Sequence, residues 1–323
     1  MHCELIVPGL LSSQTEARYP ALELLLARGR RESSDSLTLE QWLQAAFEQP
    51  GDHLAAGGLG LAASGGEAGE GWWARADPVH LRVMRDRVVV APGEALQITP
   101  GEAADFVAAL NRHFSDTVMF HALDARRWVA RFHAEKGFLQ KPAIEAAGRD
   151  VASARGDEAL LTEIQMLLHA HPVNEAREAR GEPPVNSLWL WGSGRMPATA
   201  GGPWRSLAAD DPSALGLARL AGMQWRELPE SAAAWLEALP ESGRHVAVLD
   251  AVRAAAALEQ HAEHEEGVEA LEQSWFSPLL AALRAERIGM VTVRVPAPGA
   301  AFETVRADLR RFWRRPRPIA RYA

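Results

Sequence analysis

The chain has 323 residues, 47% of them apolar and 24% charged, an ordinary composition for a globular protein that buries its own core. Its formal net charge of −8 argues against nucleic-acid binding by the body of the protein, because an acidic surface repels a polyanion. The single cysteine, Cys3, excludes an internal disulfide framework and a cysteine-rich zinc site.

The first half of the chain predicts alternating strands and helices. "CELIVPGLL" is typical of a buried strand that ends at Pro8 and Gly9. "WWARADPVHLRVMRDRVVVAPG" predicts a strand, a turn containing proline and a second strand. "TPGEAADFVAALNRHF" predicts a helix capped by Thr99, with Pro100 at its first position and Glu102 completing a capping box. "TVMFHALDARRWVARF" predicts two further strands.

The second half continues this alternation. "GDEALLTEIQMLLHAH" is an amphipathic helix that Pro172 ends, and "NSLWLWGSG" is a strand that enters a glycine turn. "RHVAVLDAV" and "IGMVTVRVP" predict strands separated by a long helical segment, and "AFETVRADLRRFWRRPRP" predicts a basic tail that is helical at first. The alternation of strands and helices indicates a layered α/β fold.

Two histidines and a helix start lie close together in "HAHPVNEAREARG". His169 and His171 either approach a metal ion or, more simply, end one helix and face the core. Asn174 is expected to cap the next helix. With Arg177, the same helix start is also suited to an anion, because free N–H groups and a guanidinium both favour a phosphate or carboxylate.

The segment "NSLWLWGSG" places Trp189 and Trp191 on one face of a strand and the neighbouring leucines on the other. Gly192 and Gly194 are expected to let the chain turn sharply at the strand end, where α/β sheets bind ligands. The alternative is two core tryptophans followed by a loop. The glycines match neither a phosphate-binding loop nor a nucleophile elbow.

Asp77 and His80 in "RADPVHLR" are candidates either for ligand binding or for capping the turn at Pro78. His261 and His264 in "EQHAEHEE" fit no zinc signature and are expected on a solvated helix face.

The tail from residue 303 to 323 carries seven arginines and two acidic residues. It either folds back on the acidic body or contacts a partner or a phosphate.

The stretch "HPVNEAREARGEPPVNSLWLWGSGRMP" resembles the cofactor-independent phosphoglycerate mutases of the archaeal type, in which hPvN-x-x-R precedes G-x-x-x-A-N-x-I-W-x-W-G-x-G-x-x-P. The resemblance is specific over about 165–225, where "LGLARLAGM" follows, and weaker over about 100–280. The "PGLL" start, "RADPVHL" and the "RFWRRPRP" tail are similar to a proteobacterial branch that carries the mixed labels of regulatory protein and phosphoglycerate mutase.

The resemblance implies an alkaline-phosphatase-like fold in which active members use two divalent metals and a phosphorylated serine. It also implies an Asp-Gly after the first strand, where this chain has Pro8-Gly9. Asp250 matches one later ligand, but no histidine follows at the required distance, and the last strand ends without Asp or His. Ser12 and Ser13 follow the first strand without an identifiable activating group. Since two-metal phosphoryl transfer needs these ligands, we expect a degenerate metal site.

The sequence therefore predicts a three-layer α/β fold with a mostly parallel central sheet and helices on both faces. We expect one domain over 1–323, with a small insertion at about 75–165 and the basic tail at 303–323. No apolar run reaches the roughly 18 residues of a membrane-spanning helix, and the N-terminus lacks the basic lead and cleavage site of a signal peptide. We therefore expect a cytoplasmic protein without a membrane partner.

The expected function is binding or regulation without a metal cofactor. The ligand is expected to be a phosphorylated small molecule, with a protein partner at the basic tail and no nucleic acid. Catalytic residues are not assigned. The candidate ligand-binding residues are His171, Asn174, Arg177, Asn186, Trp191, Gly192, Gly194, Asp77 and His80.

The alternative is an active phosphoglycerate mutase or phosphatase with manganese or zinc in a rearranged site. Its candidate metal ligands are Asp77, His80, Asp150, His169 and His171.

Overall fold

The computed structural model divides the chain into two compact units. The first combines Met1–Glu48 with Ala200–Ala323, and the second is Gln49–Thr199. The structure describes residues 1–12, 17–85, 87–151, 157–240 and 242–323. Within these residues, no helix has the length and apolar character to span a membrane.

The second unit is wider than the predicted insertion of 75–165. Its extra residues include a helix, Ala56–Ala63, that packs on the sheet of this unit. The glycine-rich composition of this segment did not predict a helix.

The N-terminal segment of the first unit opens with a short strand. Its elements are β1 (His2–Ile6), α1 (Pro20–Arg28), β2 (Arg30–Ser33) and α2 (Leu39–Ala46). Thr38 caps α2 through a capping box with Gln41. The first helix is capped from far away: the buried carboxylate of Glu272 accepts hydrogen bonds from the backbone N–H groups of Ala21 and Leu22, at 2.7 and 2.9 Å. A carboxylate at this end of a helix satisfies unpaired N–H groups and complements the helix dipole.

The second unit combines an antiparallel sheet with helices. Its elements are α3 (Ala56–Ala63), β3 (Trp72–Val83), β4 (Val88–Pro92), α4 (Pro100–Phe114), β5 (Val118–Ala122), β6 (Trp128–Phe132), α5 (Ala143–Ala146), α6 (Glu158–His169), α7 (Pro172–Ala179) and β7 (Ser187–Arg195). A short 3-10 helix spans Gly93–Ala95. The predicted capping box of α4 is confirmed, with Thr99 and Glu102 each bonding the other's backbone.

The C-terminal segment completes the first unit. Its elements are β8 (Ser206–Ala208), α8 (Pro212–Leu220), β9 (Gln224–Arg226), α9 (Ala232–Glu237), β10 (Arg244–Val248), α10 (Arg253–Ala257), α11 (His261–Leu271), α12 (Ser277–Arg284), β11 (Met290–Val295) and β12 (Ala300–Val305). A π-helical turn, Glu272–Phe276, joins α11 to α12, and 3-10 helices span Arg306–Arg310 and Ile319–Arg321.

The sheet of the first unit has seven strands in the order β2-β12-β11-β1-β10-β8-β9. The five strands from β11 to β9 are parallel, while β12 and β2 add two antiparallel pairings at one side. The predicted mostly parallel sheet is confirmed for this unit. Because β1, β10 and β11 run in the same direction, the residues after them meet at one edge, as the Leu249 N–H to Ile6 carbonyl bond of 2.8 Å shows.

Helices cover both faces of this sheet, as predicted. Leu5 of β1 belongs to one apolar core with Leu22 of α1 and Leu279 of α12. On the opposite face, the Glu4 carboxylate accepts a 2.8 Å hydrogen bond from the Trp204 indole. The Trp204 ring in turn contacts Trp42 of α2 and the adjoining Phe47. Because successive side chains of a strand point to opposite faces of the sheet, β1 contributes to a separate core on each face.

The sheet of the second unit is built on the long strand β3. It pairs β7 along one side, and on the other side β6 over its first residues and β4 over its last, all antiparallel. The prediction of a proline turn within this segment is wrong, because β3 runs straight through Pro78. Proline is tolerated there because β6 pairs only to Arg75 and β4 begins at Val79, so the missing N–H removes no bond on that side.

The predicted helical start of the basic tail is also wrong. Residues Ala300–Val305 form β12, which pairs with β11 through contacts that join Val295 to Ala300 and Met290 to Val305. Phe302, Thr304 and Val305 suit a strand, but the second partner of this strand, β2, lies near the other end of the sequence.

Candidate functional site

The carboxyl edge of the parallel sheet, called the sheet edge below, consists of the residues that follow β1, β10 and β11, namely 7–9, 249–253 and 296. Strand ends in open α/β sheets are the usual place for ligands. Here the backbone at Gly9 lies so close to α10 that a Cβ on it would stand 2.9 Å from the Cβ of Ala256. The chain after β1 is therefore packed directly against a helix.

A buried histidine also contacts the chain after β1. His264 of α11 is 2% exposed, and its Nε2–H donates to the Gly9 carbonyl over 2.9 Å. Its Nδ1 is buried and has no hydrogen-bond partner among the described residues. The expectation that His264 lies on a solvated face is wrong. The apolar residues Val268 and Leu271 follow it at helical spacing and share the buried face.

An ion pair fills the sheet edge beside β10. Arg253, the first residue of α10, donates from both terminal nitrogens to the two carboxylate oxygens of Glu40, each over 2.9 Å. Burial by itself would raise the pKa of Glu40, but the charge and hydrogen bonds of Arg253 outweigh it and hold that pKa below its ordinary value. A two-pronged geometry of this kind is the strongest form of such a pair.

The two acidic residues that follow β8 serve local structure. Asp211 caps α8 by accepting a 2.9 Å bond from the Ala214 N–H, and Asp210 accepts one of 3.1 Å from the Leu228 N–H. In the described part of the chain, no three His, Cys, Asp or Glu side chains form a group that could hold a metal ion. At the sheet edge, a proline follows β1, and both Asp250 and Arg253 follow β10.

Asp77 lies at the centre of the second unit's sheet. Its Oδ1 accepts from the Arg75 guanidinium at 2.6 Å and its Oδ2 from the Trp191 indole at 2.7 Å. The Arg75 guanidinium also lies 5.3 Å from the centre of the Trp191 ring. Burial raises the pKa of Asp77, and these donors only partly oppose it. Asp77 and Trp191, both predicted ligand-binding residues, thus bond to each other and tie β3 to β7.

Asn174 and Arg177 are both buried and bond to the unit's own backbone. The Asn174 amide donates to the carbonyls of Leu168 and Val185, each over 2.8 Å, and accepts from the Val185 N–H. The prediction that Asn174 caps α7 is wrong: His171 is the cap, and its Nδ1 accepts from the Val173 N–H at 3.2 Å. Asn174 lies one turn inside, where its side chain braces the following loop.

Arg177 has no exposed surface. Its guanidinium donates to the carbonyls of Pro183 and Leu96 and to the Glu102 carboxylate, over 3.0, 2.5 and 2.9 Å. Three of its nitrogens therefore already have protein acceptors. A dissolved anion would have to displace them, which is costly for a buried charge.

Asn186 and His80 join β7 to β3 and the preceding loop. Asn186 exchanges two hydrogen bonds with the backbone of Leu81, at 2.7 and 2.9 Å, and His80 donates from Nδ1 to the Pro184 carbonyl at 2.9 Å. His171 lines a cavity of about 710 Å³ that is also lined by Asp105 and Glu163. Burial lowers the pKa of His171.

The two glycines of "GSG" do not form a turn at a strand end, and that prediction is wrong. Both lie inside β7, opposite a register shift in β3 between Trp73 and Arg75. Gly192 has a φ of +56°, and a Cβ there would stand 3.0 Å from the Cβ of Ala56. A left-handed glycine at such an irregularity lets the strand continue past an extra residue. The predicted facing of Trp189 and Trp191 away from Leu188 and Leu190 is confirmed, because the two pairs belong to different cores.

The alternative metal ligands are not brought together in the described residues. Asp150 accepts a 3.1 Å hydrogen bond from the Val88 N–H, while His169 is exposed at the end of α6. Ser12, a candidate nucleophile, is exposed, and its N–H donates to Gly9. Ser13 lies outside the described residues.

Comparisons with known proteins agree with the resemblance seen in the sequence. No family model matches the chain. It is 26% identical over 135 residues to a probable 2,3-bisphosphoglycerate-independent phosphoglycerate mutase of Geobacter sulfurreducens, a match that covers 39% of this chain and 34% of that relative. The chain therefore matches about a third of the length of this relative.

A similar fold is found in a solved structure. The PH0037 protein of Pyrococcus horikoshii superposes with a TM-score of 0.58 at 13% identity, over 94% of this chain and 87% of that one. A cofactor-independent phosphoglycerate mutase of Thermoplasma acidophilum aligns over 94% and 89%, at 15% identity and a TM-score of 0.45. The sequence match supports the predicted resemblance over 39% of the chain, and the Pyrococcus protein shares the fold.

Proposed function

We propose that this chain is a metal-independent binding or regulatory protein, derived from a phosphoglycerate mutase-like ancestor that used two metals. The observation that carries the proposal is the buried Glu40–Arg253 pair at the sheet edge. A guanidinium in this position supplies the positive charge that divalent ions would supply, and it repels such ions. The close packing of Gly9 on α10 supports the same proposal, because it leaves little room after β1.

The middle motif, residues 171–194, also supports the proposal, because it has a structural role. Its family-like residues bond to the backbone of their own unit, so they are explained by stability without any appeal to catalysis. On this proposal, the residues of the motif have been kept because they stabilise the packing of their own unit. The expected ligand is a phosphorylated small molecule bound without a metal.

A coupled assay of 3-phosphoglycerate conversion to 2-phosphoglycerate, with added manganese, tests the proposal. We expect no turnover above the rate without protein, while an active mutase in the same mixture gives the full signal. The alternative is an active mutase or phosphatase, and the sequence match to a probable mutase favours it. Manganese-dependent turnover that scales with protein concentration would establish that alternative and refute ours.

A further inference from the structure

The C-terminal segment of the first unit forms one side of an open pocket of about 480 Å³ against α1 and β2. The segment is fixed by Ile319, which is fully buried, and by Arg314, whose guanidinium donates to the Gly29 carbonyl over 2.7 Å. The Tyr322 ring also packs edge-on against Phe302, with 5.9 Å between ring centres. These contacts hold the tail in place along one side of the pocket, which we call the arginine cavity.

The arginine cavity is lined by an unusual density of positive charge. Its charged and exposed aromatic lining residues are Arg31, Arg314, Arg315, Arg317, Arg321 and Trp313, and none of the described residues that line it is acidic. By contrast, the cavity beside His171 includes both Asp105 and Glu163.

Most tail arginines outside the cavity have carboxylate partners, whereas several inside it do not. Arg311 pairs with Asp308 over 2.8 Å, and Arg306 pairs with Glu286. Within the described residues, Arg315, Arg317 and Arg321 make no such pair. Guanidinium groups collected around one cavity repel one another, so an anion held between them would be stabilised, and their planar donors suit phosphate oxygens.

An aromatic surface adjoins these charges. Trp313 is 66% exposed, and Phe312 beside it is 77% exposed, with their rings edge-to-face at 5.3 Å. Large aromatic side chains exposed next to arginines are typical of sites that stack a flat ring while binding a phosphate. The volume also lies within the range of about 300–1,000 Å³ found for small-molecule sites.

We propose that the arginine cavity binds a phosphorylated ligand with a planar ring, of the size of a nucleoside monophosphate. The guanidinium groups hold the phosphate and Trp313 stacks on the ring. The inference rests on the proposed function for the class of ligand, and it adds the ring and the place where the ligand binds.

Calorimetric titration of the full chain with three probes tests whether the arginines bind the phosphate and Trp313 binds the ring. AMP carries both groups, ribose 5-phosphate only the phosphate, and adenosine only the ring. We expect AMP to bind at least about tenfold more tightly than either fragment, since charged hydrogen bonds and stacking each contribute about that factor.

Three variants assign the binding to the cavity. Arg317→Gln should weaken AMP and ribose 5-phosphate by about tenfold each. Trp313→Ala should weaken AMP by about tenfold and leave ribose 5-phosphate unchanged. The matched control is Arg310→Gln, an exposed arginine of the same tail that does not line the cavity, and it should bind AMP like the parent. Thermal unfolding of each variant checks that the fold is kept.

The inference is overturned if AMP does not bind, if Arg310→Gln weakens AMP as much as Arg317→Gln, or if only a single-stranded oligonucleotide binds. These failures are separate from failure of the proposed function. Mutase turnover with normal AMP binding would refute only the proposed function, whereas absence of both turnover and AMP binding would refute only the inference.

Discussion

The sheet edge of the first unit and the middle motif of the second unit neutralise their buried charges in different ways. At the sheet edge, Arg253 meets Glu40 from a helix that lies far away in the sequence. In the middle motif, Arg177 bonds to two backbone carbonyls and pairs with Glu102 and, at 3.5 Å, with Glu182. The resemblance to the mutases is strong where side chains hold the backbone, and it fails where the family implies metal ligands. On the proposed function, the middle motif was kept for its role in the fold while the metal ligands were lost.

The largest expected effect tests whether the middle motif is a scaffold. Arg177→Ala should lower the free energy of unfolding by about 4 kcal/mol, because it leaves Glu102 without its buried partner and two carbonyls without donors. Arg180→Ala is the matched control: Arg180 also pairs with Glu102 but is half exposed, so its loss should cost less than about 1 kcal/mol. Urea unfolding of both variants measures the difference. Equal stability of the two variants would show that Arg177 is not needed for the fold and would make it a candidate ligand contact again.

A second prediction concerns the sheet edge and its dependence on pH. Glu40→Gln should cost about 3 kcal/mol at pH 7, because Arg253 then stays buried without a counter-charge. The folded pKa of Glu40 lies below its ordinary value of 4.5. The contribution of the pair is therefore complete above that pH and is lost as the pH falls through the lowered pKa.

Unfolding measured from pH 7 to pH 3 should consequently show the parent and the Glu40→Gln variant converging in acid. Glu237→Gln, an exposed glutamate of α9, serves as the control and should stay within about 0.5 kcal/mol of the parent throughout. A constant gap between the parent and Glu40→Gln at all these pH values would contradict a charged Glu40.

A smaller effect separates backbone conformation from packing in the middle motif. Gly192→Ala should cost about 2 kcal/mol, because it combines a left-handed φ with a close contact to Ala56. Gly181→Ala has a similar φ of +75° but open space around the new methyl group, and it should cost about 1 kcal/mol. Thermal unfolding compares the two, and a larger loss for Gly181→Ala would show that the contact with Ala56 is unimportant.

Local patterns were sufficient for much of the fold. The capping box at Thr99, the first strand and the two faces of β7 all depend on neighbours within a few residues, and all three predictions are confirmed. The strand β12 was missed because part of its pairing is with β2, which lies near the other end of the sequence. Pro78 led to the wrong prediction of a turn. The proline fits within β3 because it lies in the gap between two partner strands, β6 and β4, and this gap depends on the whole sheet.

The candidate site was harder to predict for the same reason. Nothing near Arg177 in the sequence indicates that the carbonyls of Leu96 and Pro183 will use its donors. The Glu40–Arg253 pair joins residues that are 213 positions apart, and no short motif contains both. His264 did carry a usable signal, since Val268 and Leu271 repeat at helical spacing on its face.

The metal content of the purified protein tests the central claim most directly. The full chain would be produced in medium supplemented with manganese and zinc, purified without chelators, dialysed and measured by elemental analysis. The ion pair and packing at the sheet edge predict that no stoichiometric manganese or zinc remains. One or two equivalents per chain, retained through dialysis, would contradict the account.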